Sequence, residues 1–284
     1  EGLNYGLGFM VIFMLHFTVA TKQPAMTAAR FAEAVEKTPQ GKSVNMKLAQ
    51  LLVDVFRSQS IAVLGNVLIA MGLAALIAFG YQYKTGEPLM NANQIAYQLH
   101  SIDPFAGTLW FAAIAGVWLF CSGIISGYFD NRSNYLNMRM RLTQHPLLKK
   151  LMSEKSRVKF ANYMHENYGS LIGNLCFGML LGLTGVVGYL THLPLDIRHV
   201  AFSSANVGYI AVSGEFTYSL LLQCIGFVLL IGLVNLIVSF SLTLWVALRS
   251  LNAEVDSWWP IWHEVCQIVK KRPLSLFLPI QLDK

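Results

Sequence analysis

Charge is what this sequence has least of. Only 13% of the 284 residues are Asp, Glu, Lys or Arg, about half the share of a soluble protein. Most soluble globular classes and nearly all disordered ones are excluded by that shortage alone. Paired cysteines are missing too: Cys121, Cys176, Cys224 and Cys266 stand singly and form no C-x-x-C pair. Neither a disulfide framework nor a cysteine zinc site is expected, and the thiols read as reduced and structural. There is no P-loop, no G-x-G-x-x-G, no H-E-x-x-H and no G-x-S-x-G, so the common phosphate, dinucleotide, metalloprotease and hydrolase signatures are absent. The carboxylates are spread along the chain rather than clustered, and no catalytic constellation or cofactor is called for.

What fills the space is apolar: 55% of the residues are hydrophobic. No charged side chain occurs in Gly2–Thr21, Ser58–Tyr83, Pro104–Phe129, Asn167–Leu195 or Phe216–Leu248, runs of 20, 26, 26, 29 and 33 residues. A helix needs roughly 20 apolar residues to cross the hydrocarbon of a bilayer. Strands of a membrane barrel would instead alternate over about 10 residues, which these runs do not. The expected class is therefore all-α, a polytopic membrane helix bundle. About five spans are placed near residues 2–20, 59–80, 107–127, 169–190 and 218–248. The first is the weakest, diluted by Asn4, Tyr5 and His16.

The basic residues alternate with those spans. Segments 21–58, 128–167 and 249–284 hold 19 Lys and Arg, whereas 81–106 and 191–217 hold only Lys84 and Arg198. The positive-inside rule then makes the three basic segments cytoplasmic and the other two external. The expected topology has an external N-terminus, residues 1–248 as the membrane part and 249–284 as a cytoplasmic tail. The net charge of +6 suits anionic lipid headgroups at that face. The chain opens at Glu1 without Met, and no Lys or Arg precedes residue 22. No signal-peptide n-region is present, and the chain reads as part of something longer, with an upstream portion or other membrane proteins as partners.

Within the spans, Gly178, Gly182 and Gly185 share a helix face and predict a tight helix-packing seam, and Gly123 and Gly127 a shorter one. Asn66, Asn174, Gln223 and Asn235 are the notable polar groups there. They would line a path or each make one interhelical hydrogen bond, the more common use of such groups. No span has an acidic or basic residue at its centre, which argues against a proton pump. Three stretches read as amphipathic helices on the membrane surface: 44–58, 146–167 and the tail. In the tail, Trp258, Trp262, Val265 and Val269 form a stripe, with Trp259 beside it and Lys270, Lys271 and Arg272 after it, a pattern suited to the headgroup layer. Ala201–Val212 is apolar but too short to cross, and reads as re-entrant or interfacial. Nearby His192, Asp196 and His199 are weak candidates for a metal site, with plain loop residues the favoured reading.

Several stretches are familiar as a set: NYGLGFMVIFMLHFTVATKQPAMTAA (4–29), FRSQSIAVLGN (56–66), SGYFDNRSNY (126–135), NYGSLIGNLCFG (167–178) and LPLDIRHVAFSSANVGY (193–209). Together they resemble the bacterial membrane-protein family labelled site-specific recombinase, after a gonococcal recombinase, over almost the whole chain and matching its C-terminal part. That resemblance implies a multi-pass protein of the bacterial inner membrane and, by its label, DNA strand exchange. Strand exchange needs a nucleophile held among several cations, because phosphoryl transfer depends on charge stabilisation. The richest basic patch is Arg132, Arg139 and Arg141, with Tyr128 and Tyr135 beside it. These five are the candidate catalytic residues, and a basic, aromatic membrane boundary uses the same residue types for anchoring. The residues favour a non-catalytic transporter-like or scaffold module. A recombinase, with nucleic acid on segment 128–167, and a membrane enzyme acting on lipid are the alternatives.

Overall fold

The protein is described by a computed structural model covering residues 2–15, 23–37, 42–214 and 217–277. Among those residues it is all-α. The helices are α1 (Gly2–Met14), α2 (Gln23–Lys37), α3 (Lys42–Thr85), α4 (Ala92–Ile102), α5 (Thr108–Tyr135), α6 (Met138–Gln144), α7 (Pro146–Leu151), α8 (Glu154–Thr191), α9 (Val200–Ser213), α10 (Tyr218–Ser250) and α11 (Trp258–Lys271). Single 3-10 turns lie at Pro104–Ala106 and Pro273–Leu276.

Four helices, α3, α5, α8 and α10, are long and apolar enough to cross a membrane. At 1.5 Å per residue they measure about 66, 42, 57 and 50 Å, against roughly 30 Å of hydrocarbon. The first expected span is covered in part: α1 has 13 residues, too few to cross alone. The rest of that span, His16 included, lies outside the described residues.

Two of the three surface helices expected from the sequence are not separate elements. Residues 44–58 are the opening turns of α3, and 154–167 are the opening turns of α8. Neither stretch contains Gly or Pro, so the helix propagates into the span at less cost than starting a new one. Pro146 does open a helix, the short α7, at its first position.

The chain divides into two compact units: residues 1–25 with 118–195, and residues 26–117 with 196–284. In the first unit α1 runs antiparallel to α8, with Gly2 beside Met179 and Gly182, and Gly6 beside Leu175 and Gly178. Phe9 and Phe177 stack in the same seam, ring centres 5.3 Å apart. A second seam joins α8 to α5, where Gly173 meets Ser122 and Ser126 and the Gly169 N–H donates to Asp130 Oδ1 at 3.1 Å. The Trp118 indole donates to Thr184 Oγ1 at 2.7 Å across the same pair.

In the second unit two apolar cores are stacked along α3 and α10. One gathers Val67, Ile102, Ala112, Val200, Val207, Cys224, Val228 and Ile231. The other gathers Ala28, Phe31, Leu48, Ala49, Leu244 and Ile261. The first explains a feature the sequence does not announce. Val67 and Val228 lie inside charge-free runs, yet they pack on Ile102 of α4 and on Val200 and Val207 of α9. The charge-poor segments thus pack α4 and α9 alongside α3 and α10. Gly208 lets α9 close onto the Met71 carbonyl of α3, where a Cβ would collide. α4 is fixed at its start by a capping box: Asn91 Oδ1 accepts from Gln94 N at 2.9 Å, and Asn91 N donates to Gln94 Oε1 at 3.0 Å.

Candidate functional site: a polar staple and an apolar cleft

Residues 192–199 form no regular helix before α9 begins. The polar groups of irregular backbone packed among apolar helices need partners, and here Asn235 supplies them. Its Nδ2 donates to the Ala112 carbonyl of α5 at 2.7 Å and to the Arg198 carbonyl at 3.0 Å, and its Oδ1 accepts from Val200 N at 3.1 Å. One buried amide thus ties α5 and α10 to the descending segment and caps α9 from another helix. His199 supplies a second cap, with Nδ1 accepting from Ala201 N at 3.4 Å. The His199 side chain is buried.

Arg198 completes the staple. Its Nε donates to the Ser101 carbonyl at 2.8 Å, and its Nη1 donates to Asp196 Oδ2 at 2.6 Å and to the Ile197 carbonyl at 2.8 Å. The guanidinium lies 5.5 Å from the centre of the Phe111 ring, close enough for a cation–π contact. Thr108 Oγ1 also donates to the Ser101 carbonyl, at 3.0 Å. The lone arginine of the charge-poor segment is committed to architecture.

The three metal candidates all have structural roles in or beside this segment. Asp196 is engaged by Arg198 and by its neighbouring Ile197 N–H. His199 caps α9, and His192 is the left-handed residue ending α8, with φ 55°. Among the described residues no group of three or more His, Cys, Asp or Glu is arranged to hold a metal.

The catalytic candidates sit at the end of α5 and on α6. Tyr128, Tyr135, Arg132, Arg139 and Arg141 are all exposed. Arg132 Nη1 donates to Tyr128 Oη at 3.3 Å, one turn away on the same helix. Arg139 and Arg141 are two residues apart on α6 and so do not share a face. No buried cationic clamp forms around either tyrosine. A Ser–His pair that sequence spacing does not reveal lies close by: Ser133 Oγ is 3.1 Å from His165 Nδ1. Ser133 is fully buried, so a substrate cannot reach it.

The glycine face is only partly a seam. Gly178 and Gly182 meet α1, but a Cβ on Gly185 would meet nothing within 4 Å. The reason is register: α1 runs antiparallel from Gly2 at the level of Gly182, and Gly185 lies one turn past it. Gly127 likewise faces open space, whereas Gly123 is buried and Gly116 of the same helix closes onto Val238 and the Asn235 carbonyl of α10.

A cleft of about 740 Å³ lies in the second unit between α3, α10 and α11, within the usual range for a bound small molecule. The tail stripe forms one wall. Trp258, Trp262, Val265 and Val269 line it, opposite Val53 and Phe56 of α3 and the Leu233–Leu248 stretch of α10. Among the described residues that line it, Ser241 and the tryptophan indoles are the only polar side chains, and none is charged. α11 is seated by Ile261, buried against Leu48, Ala49 and Leu244, and by Trp258 stacked on Phe31 of α2 at 5.8 Å and 10°. Trp259 points away and is 79% exposed. At the charged end of the cleft the Arg249 guanidinium lies 5.7 Å from the centre of the Trp245 ring. Lys270 and Lys271 follow Val269 in the last turn of α11.

The family model described as Site-specific recombinase matches residues 1–279. No curated protein and no solved structure matches the chain.

Proposed function

We propose a non-catalytic, transporter-like role for this chain, which belongs to the site-specific recombinase family: it is a multi-pass module of the bacterial inner membrane that accommodates an apolar or amphiphilic substrate. The observation that carries this reading is the 740 Å³ cleft, whose lining has no titratable side chain. A hydroxyl becomes a nucleophile when a neighbouring base takes its proton, and Ser241 has no titratable group beside it in the lining. Binding an oil-like group needs only shape and dry walls. The 19-to-2 split of basic residues supports an external N-terminus and a cytoplasmic tail. Partners on this reading are the bilayer itself, anionic headgroups at the basic face, and an upstream portion or other membrane proteins. The test is reconstitution in liposomes, followed by measurement of lipid and solute movement. Movement that depends on the protein supports the reading, and its consistent absence for both classes removes the transport part.

The family label favours a second reading, DNA strand exchange. The exposed tyrosines beside three arginines are the residues it would use. A covalent protein–DNA adduct lost in Tyr128→Phe or Tyr135→Phe would establish it.

A further inference from the structure

We infer that the cleft holds one acyl chain of an anionic phospholipid, with the headgroup at the Arg249 end. The inference rests on the cleft proposed above as the substrate site and names its occupant. Three features point the same way. The first is length and depth. The cleft follows α10 from Leu233 to Leu248, about 22 Å along the axis. Leu233 is near the middle of the charge-free run 216–248, and Leu248 is its last residue. The groove thus runs from mid-bilayer to one boundary, the path of a single leaflet's chain, about 15 Å of hydrocarbon depth taken at a slant.

The second feature is the gradient of side chains along it. Aliphatic residues and Phe240 line the deep half, and Trp245, Trp258 and Trp262 line the end nearest the boundary. Tryptophan favours the level of the headgroups, where its ring is buried and its N–H is wet. The third is charge. Arg249, placed over Trp245, caps this end. Of the carboxylates in these elements, Asp54 is neutralised by Arg57 at 2.8 Å. Glu254 and Asp256 lie in the turn before α11, and Glu264 is on a face of α11 other than the stripe. None of the four lines the cleft. A phosphodiester with a neutral or anionic remainder fits that end, and a free fatty amine does not.

The test uses the full chain in mild detergent, offered equal amounts of phosphatidylglycerol and phosphatidylcholine and weighed by native mass spectrometry. The wild type is expected to retain one phospholipid, with phosphatidylglycerol favoured. Arg249→Gln should reduce that preference about fivefold, the effect of one interfacial cation, while leaving lipid bound. Ser241→Trp fills the groove and should abolish retention of both lipids. Leu222→Trp, on α10 outside the cleft and 70% exposed, should retain lipid as the wild type does. Equal retention in Ser241→Trp, or no preference in the wild type, overturns the inference. So does a lipid-free dimer that Ser241→Trp dissociates, which would place a second copy in the groove. Retention without lipid movement leaves this inference standing and removes transport. Movement without an anionic preference does the reverse.

Discussion

Replacing Asn235 should damage this protein more than replacing any other polar group in the apolar runs. The amide makes three hydrogen bonds, to Ala112, Arg198 and Val200, and it is 3% exposed. Interhelical hydrogen bonds in membrane proteins average about 0.6 kcal/mol and reach about 1.7. Asn235→Leu, close in volume, should therefore cost about 2 kcal/mol, and as much as about 5 if the Val200 N–H and the Arg198 carbonyl find no replacement. Asn235→Asp is no rescue. It keeps the acceptor for Val200, but its second oxygen faces two carbonyls and must hold a proton to bond either. Asn66 is the control: it is half-buried on α3, its side chain makes no hydrogen bond among the described residues, and Asn66→Leu should stay within about 0.5 kcal/mol of the wild type. Reversible unfolding in mixed micelles by titrated dodecyl sulfate reads both. If Asn235→Leu and Asn66→Leu unfold at the same denaturant fraction, the staple contributes nothing and the argument for a re-entrant segment fails.

In the α1–α8 seam, Gly178→Leu should cost about 1–3 kcal/mol or block assembly, whereas Gly185→Leu, with open space around it, should change the melting temperature little. Impermeant amine labelling in spheroplasts should modify Lys84 and spare Lys149. Labelling of both from one side would refute the proposed topology. Incubation with supercoiled DNA should yield no detergent-resistant adduct, and its loss on Tyr128→Phe or Tyr135→Phe would reinstate strand exchange.

The spanning helices were legible because lipid imposes a one-dimensional constraint: about 20 residues without charge, a property that counting detects. The same counting failed at the ends of those runs. Nothing in 44–58 or 154–167 says whether an amphipathic stripe meets headgroups or protein. In α3 it meets Ile261 of α11, more than 200 residues away. The stripe at Trp258, Trp262, Val265 and Val269 was legible as a stripe, since helical spacing is local, but its role as a cleft wall depends on α3 and α10. Asn235 was legible as a polar residue in oil, with one bond expected. Three were made, because Arg198 and Val200 descend to meet it, and no spacing announces a return of the chain from 37 residues away. Arg198 itself shows how charge counting misleads at short range. It marks the segment as poor in cations, which orients the chain, yet its own bonds to Ser101 and Asp196 fold that segment inward. The positive-inside signal is a property of segments summed over many residues, whereas the position of any one arginine is decided by the carbonyls it can reach.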